Sequence, residues 1–180
     1  MAASDARAWH EVRRRNADWL RPWEATVPPG DNTAPRSFRA LVRDLRRQAR
    51  EHRALPFAVT VDGVFAGQVT VTNIVGGSAR WAQIGYWVDQ RYAGQNVIPT
   101  AVALTVDHCL FELGLHRIEV AIRPENTASL RVVEKLGFTE IGYATGYLHI
   151  DGGWRDHRLF ALTAEECAGG LLRRFQASRE

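Results

Sequence analysis

The sequence predicts a mixed α/β (α+β) fold, with a central, mostly antiparallel mixed sheet and helices on both faces. Three observations carry this. Over the first fifty residues the apolar period is helical, and after Leu55 it alternates, so two helices precede a set of strands. Asp62-Gly63 lies between two alternating runs and marks a tight hairpin, which makes its flanking strands antiparallel. A strand–helix–strand crossover follows that meander, which makes the sheet mixed and puts helices on both faces.

The elements follow in order. Residues 4–20 read as an amphipathic helix, with Trp9, Val12 and Leu20 at roughly helical spacing and Ser4 or Asp5 as N-cap. Residues 21–35 hold four of the seven prolines and read as a loop. A second helix spans about 37–52, with Phe38, Leu41, Val42 and Leu45 on one face. LPFAVTVDG and VFAGQVTVTNIVGG are two alternating strands, and residues 79–88 add a third. An apolar helix covers about 96–113, a strand 116–123, a short helix 126–137 and a strand 138–149. Gly152-Gly153 turns that strand into a last one, WRDHRLFALT. Residues 164–180 read as a peripheral helix or tail, outside a domain at 1–163.

Composition bounds the function. At 180 residues the chain suits one domain with a core that needs no disulfide or metal. A net charge of +3 with scattered arginines gives no nucleic-acid footprint, and the two arginine clusters read as solvated helix faces. Cys109 and Cys167 show no C-x-x-C spacing and read as buried free thiols. The N-terminus lacks a signal-peptide core and no apolar run is long enough to span a membrane, so a cytoplasmic protein is expected. The single lysine, Lys135, reads as a mark of composition rather than function.

Four stretches carry a family resemblance: IGYWVDQRYAGQNVIPTAV (84–102), HRIEVAIRPENTASLRVVEKLGF (116–138), GYATGYLHIDGGWRDHRLFAL (142–162) and RNADWLRPWE (15–24). In this order they resemble the GNAT acetyltransferases, and among them the ribosomal-protein N-terminal acetyltransferases of the RimJ/RimL type. The resemblance implies the GNAT fold, with strands 79–88 and 116–123 as its splayed pair. It also implies acetyl-CoA as co-substrate and no metal. Family members open with a strand before the first helix, so that strand is expected to be absent or incomplete here.

The implied cofactor site runs from Trp87 and Val88 through Arg91, Ala93, Gly94, Gln95, Asn96 and Val97 to Asn126 and Ser129. A loop opening a helix offers backbone N–H groups and a positive terminus to pyrophosphate, and Gly94 lets that backbone approach closely. The family carries Gln or Arg where Ala93 stands and a second glycine where Asn96 stands. Asn tolerates the left-handed conformation such a glycine supplies. Asn126 reads as an N-cap that can also bond the pantetheine arm. A tyrosine acid common in GNAT enzymes is replaced by Val133, which leaves Ser129 to protonate the leaving thiolate.

For the general base the usual glutamate is replaced by Gln83, and an acidic hairpin residue by Gly146. Glu119, Asp151, Asp156, His149 and His157 remain, and of these Glu119 joins Ser129 and Asn126 in the expected catalytic set. Trp19, Trp23, Tyr147 and Trp154 are expected to shape the acceptor site, as an open groove between loop 21–35 and hairpin 149–157. The implied reaction is direct attack of a primary amine on the thioester, with the N–H near Val88 holding the oxyanion. The resemblance points to a protein N-terminus, of a ribosomal protein, as acceptor; its α-amine titrates near ~7.7–8.0 and needs little help from a base. The competing readings are a small-molecule amine acetyltransferase, expected to use a closed pocket where a peptide acceptor needs the open groove, and an idle acyl-CoA-binding module. Either a monomer or a homodimer fits.

Overall fold

The computed structural model describes residues 1–31 and 37–179. Helix α1 (Ala6–Arg15) follows a 3-10 turn at Ala3–Asp5, and no described strand precedes it. Asp5 does not cap α1 with its side chain; its carboxylate accepts the Ala2 N–H at 2.7 Å. The expected helix over 4–20 breaks at Asn16, and α2 (Ala17–Leu20) resumes beyond it. Asn16 is buried, and its side-chain amide donates to the Val12 carbonyl (2.8 Å) and to Asp89 (3.1 Å). A side chain that bonds the preceding turn in this way competes with the helix ladder.

Helix α3 (Phe38–Arg50) starts at Ser37, whose hydroxyl accepts the Ala40 N–H. The meander is β1 (Leu55–Val61), β2 (Val64–Val75) and β3 (Trp81–Val88). Asp62 and Gly63 both have positive φ (50° and 77°), as a two-residue hairpin turn demands. Helix α4 (Val97–Asp107) ends in a π turn at His108–Glu112. Then come β4 (Arg117–Ile122), α5 (Thr127–Lys135), β5 (Thr139–Ile150), β6 (Gly153–Thr163) and α6 (Leu171–Ala177). The turn between β5 and β6 is Asp151-Gly152, one residue earlier than expected, with φ of 47° and 74°. Asp107 accepts the Leu171 and Leu172 N–H groups at the start of α6, which buries Leu171 and Phe175 in the main core.

The sheet order is β1-β2-β3-β4-β6-β5, antiparallel throughout except for β3 beside β4. β1 is an edge strand and carries Pro56, which a central strand would exclude. On one face Ile84, Ile118, Val120, Phe160 and Leu162 pack with Val102 and Val106 of α4 and Val132 of α5. On the other, Trp9 of α1 meets Trp87 edge-on (6.5 Å) and Phe38 of α3 (5.0 Å). Among the described residues no helix is long and apolar enough to cross a membrane.

The feature that positions the site is the short β3–β4 pairing. It covers three rows only, Trp81–Arg117, Ala82–Ile118 and Gln83–Glu119, after which the strands part. The Asp89 N–H donates to Ala66 on the β2 side. Backbone direction alternates along a strand, so the groups of Val88 and Tyr86 face the edge that β4 has left. There the Val88 carbonyl accepts the Trp19 indole N–H at 3.3 Å.

Candidate functional site

The parting strands leave a cleft of two hollows, about 240 and 230 Å³. Both have Trp23, Ala25, Tyr86, Asn126 and Ser129 in their walls, so one space runs through the sheet. The first hollow adds Trp19, Trp87, Val88 and Ile98; the second adds Gly85, Ala121, Arg123 and His157.

Asn126 caps α5 by accepting the Ser129 N–H at 3.0 Å. This turns the first turn of α5 toward the cleft and sets the Ser129 hydroxyl 2.8 Å from the Tyr86 hydroxyl. Burial pushes the Tyr86 phenol well above its usual range, the bond to Ser129 opposing it, so Tyr86 is a neutral partner at any working pH. Sequence reasoning missed Tyr86, because a tyrosine in an alternating strand reads as a core aromatic.

The loop after β3 is anchored by Asp89, another residue the sequence did not single out. It is 1% exposed. Its carboxylate accepts from Arg15 Nε (3.0 Å), Arg91 Nε and Nη2 (3.0 and 2.8 Å) and Asn16 (3.1 Å). Burial works to raise its pKa, but these donors win and hold it below the usual carboxylate range. Arg91 is therefore tied to Asp89. Ala93 is extended, Gly94 has φ 77°, and Asn96 adopts the left-handed conformation the sequence reading required of it (φ 62°, ψ 12°). Gln95 donates to the Arg91 carbonyl at 2.7 Å. Val97 and Ile98 open α4, where N–H groups lack helical acceptors. Lys135, at the end of α5, donates to Asn96 Oδ1 at 2.8 Å and brings an ammonium to this helix start. Its position, not its rarity, is what matters.

Trp19 and Trp23 line the cleft, and the Arg123 guanidinium lies 5.3 Å over the Trp23 ring. Tyr147 accepts from Gln83 Nε2 at 3.0 Å, and its ring meets His157 edge-on at 5.7 Å. Tyr147 reaches His157 without itself lining either hollow, and two further expected residues are not brought to the cleft. Glu119 sits on the last paired row of β4, before the strands part, and binds Arg117 Nε at 2.7 Å. Trp154 is 62% exposed on the outer hairpin, edge-on to His149.

The open groove expected between loop 21–35 and hairpin 149–157 is absent over the described part of that loop. Ala25 forms a β-bridge to Ile150, the Thr26 N–H donates to the His149 carbonyl (2.9 Å), and the Asp151 N–H donates to the Glu24 carbonyl (3.0 Å). Loop and hairpin thus form a continuous wall over the cleft. His149 is used in that seam, 2.8 Å from the Thr26 hydroxyl. Asp156 is held by Tyr143 and by the Gly146 N–H, each at 2.8 Å. Cys109 and Cys167 are buried, with thiols pushed up to about 12 and about 11, which excludes them as thiolate nucleophiles. Among the described residues no cluster of three His, Cys, Asp or Glu could hold a metal.

Known proteins share this fold. Residues 1–139 match the family described as Acetyltransferase (GNAT) domain. RimJ of Mycobacterium smegmatis, solved in complex with CoA-disulfide, is 40% identical, with a TM-score of 0.92 over 99% of this chain and 87% of its own. The [ribosomal protein uS5]-alanine N-acetyltransferase of Escherichia coli is 29% identical over 92% of this chain and 87% of its own. The protein named Probable N-acetyltransferase YjcK of Bacillus subtilis is 40% identical, but over 101 residues, 56% of either chain. The chain belongs to the GNAT acetyltransferase family, has the GNAT fold and uses acetyl-CoA as its acetyl donor.

Proposed function

We propose that the protein transfers the acetyl group of acetyl-CoA to the N-terminal α-amine of a protein, with ribosomal proteins as the substrate class. One observation carries this reading: the match to enzymes named for acetylating ribosomal proteins runs through 92% of the chain, so it includes the hairpin wall as well as the cofactor half.

The donor lies along the free edge of β3, where the backbone groups of Tyr86 and Val88 pair with the pantetheine amides as an added strand would. The pyrophosphate rests on the N–H groups of residues 94–98 at the α4 terminus, with Lys135 beside it. The Val88 N–H stabilises the oxyanion as the amine attacks the thioester carbon. Ser129 then protonates the departing thiolate, its hydroxyl held by Tyr86. Trp19 and Trp23 wall the acceptor's approach. With the loop and hairpin joined, the chain end enters through the sheet rather than along a surface groove. This suits an extended terminus, which needs only its first residues inside.

The test is CoA-thiol release from acetyl-CoA with three acceptor sets: peptides with free N-termini, the same peptides N-blocked but carrying lysine, and a panel of small amines. Release with free N-termini alone is the expected result. Turnover restricted to small amines would replace the reading, and acetyl-CoA binding without turnover on any acceptor would favour an idle module.

A further inference from the structure

Glu119, Asp156 and His149 are occupied elsewhere, and Asp151 sits at a turn tip with φ 47°. His157 differs from all of them. It lies on β6, the strand inserted between β4 and β5, and that insertion brings it beside the parted end of β4. It is 3% exposed and lines the same hollow as Tyr86, Asn126 and Ser129.

Its side chain is on the opposite face of the sheet from Ser129. Phe160 and Leu162 of β6 enter the core beside α4 and α5, and residues 157, 159 and 161 alternate to the other side. The amine approaches the thioester carbon from one face of a plane in which the leaving sulfur lies, so its proton acceptor and the donor to sulfur need not share a side of the sheet, and the cleft is the passage between the two faces.

The ring's tautomer follows from its one hydrogen bond. Nδ1 is 3.0 Å from the Arg155 carbonyl oxygen, which can only accept, so Nδ1 carries the proton. Nε2 then presents a lone pair. No fully buried side-chain nitrogen or oxygen among the described residues lacks a partner, and Nε2 makes no bond to any of them, so Nε2 is not sealed in the interior, and the space that the His157 ring lines is the hollow.

We propose that His157 Nε2 is the proton acceptor for the attacking amine. This rests on the acetyl-transfer reading of the cleft but not on the acceptor being a protein N-terminus. An ammonium must lose two protons to become an amide. One passes to Nε2 before attack and on to solvent. The neutral nitrogen then forms the N–C bond, the C–S bond breaks with its electron pair on sulfur, and the second proton matches the one that the thiolate takes by way of Ser129. Acetyl-CoA and the amine supply every atom.

The surroundings keep the ring neutral. Burial comes first in lowering its pKa, and the bond to the Arg155 carbonyl opposes it. Arg123, facing it from the end of β4, lowers it further, while Asp156 on its own strand and Glu125 before α5 raise it. Tyr147 of β5 covers one side as a ring contact. The sign is therefore fixed: the base is competent above its depressed pKa and is lost as pH falls through it, below the ordinary value near ~6.5.

The experiment uses any primary amine that the wild-type enzyme acetylates, so its outcome is separate from the identity of the natural acceptor. His157→Gln is expected to lose about 100-fold or more in kcat, the usual share of a general base. The KM for acetyl-CoA stays within about twofold, and imidazole restores turnover in His157→Gly, whose lost side chain leaves room for it. Glu24→Gln, which removes the one carboxylate among the described residues lining the cleft, keeps the acidic limb of the rate profile. A His157→Gln enzyme within threefold of wild type, or a limb lost in Glu24→Gln and kept in His157→Gln, overturns the proposal. Should His157→Gln fail to fold, the wild-type profile still decides across amines of different basicity. A limb that stays fixed supports His157, and one that only tracks the amine's own pKa rejects it.

Discussion

The two ends of the β3–β4 pair do opposite jobs with the same kind of sequence. At Trp81–Gln83 the strands are in register, their backbone groups satisfied and their side chains tied up: Gln83 with Tyr147 and Asn73, Glu119 with Arg117. Three and five residues after Gln83, Tyr86 and Val88 face an edge with no strand. An unpaired edge inside a fold is costly unless something holds it open and something else occupies it. Asp89 and its arginines hold β3 from one side; α5, capped by Asn126, stands off β4 on the other. Chemistry is concentrated where pairing stops.

The largest effect should come from removing the anchor of the open end. Asp89→Ala leaves the buried Asn16 amide and the Arg91 N–H without their acceptor, as well as the half-exposed Arg15 and Arg91, and is expected to cost about 3 kcal/mol, read by urea unfolding. The pH dependence has a definite sign. Since the folded carboxyl titrates below its unfolded value, its contribution is full above ~3.9 and is lost as pH falls through the folded pKa. The gap between wild type and Asp89→Asn should thus close in acid.

Next is Ser129→Ala. The cap uses the Ser129 backbone N–H, so the helix start survives and only the hydroxyl is lost. The expected outcome is a fall of about 100-fold in kcat with KM for acetyl-CoA little changed, measured by steady-state CoA release. Lys135→Ala is smaller: the attraction between an exposed ammonium and a pyrophosphate bound beside it is about 1 kcal/mol, so KM for acetyl-CoA should rise about fivefold with kcat retained. The smallest effect belongs to the paired end. Glu119→Gln should leave kcat within about twofold, and a large loss there would erase the contrast between the two ends.

Much of the fold was legible because its signals are local. The Asp62-Gly63 hairpin, the Asn126 cap and the left-handed Asn96 each depend on one or two adjacent residues. What stayed hidden depends on partners far apart in the chain. The break at Asn16 involves Asp89, 73 residues away, as well as the Val12 carbonyl, so helical periodicity ran straight through it. The seam that closes the expected groove joins Thr26 to His149, 123 residues apart. Tyr86 gains its meaning only from Ser129 across the cleft. His157 could not be separated from four other bases until the β4-β6-β5 order put it beside the opening. Family resemblance located the splayed pair; only geometry showed that the pairing lasts three rows.

The most direct measurement is amide hydrogen exchange, resolved by residue, with and without acetyl-CoA. Tyr86 and Val88 should gain protection when the pantetheine arm fills the edge that β4 vacates, while Ala82 and Gln83, already in the sheet, should not change. Unchanged exchange at Tyr86 and Val88 in the acetyl-CoA-saturated protein would contradict the assignment of the donor to this edge.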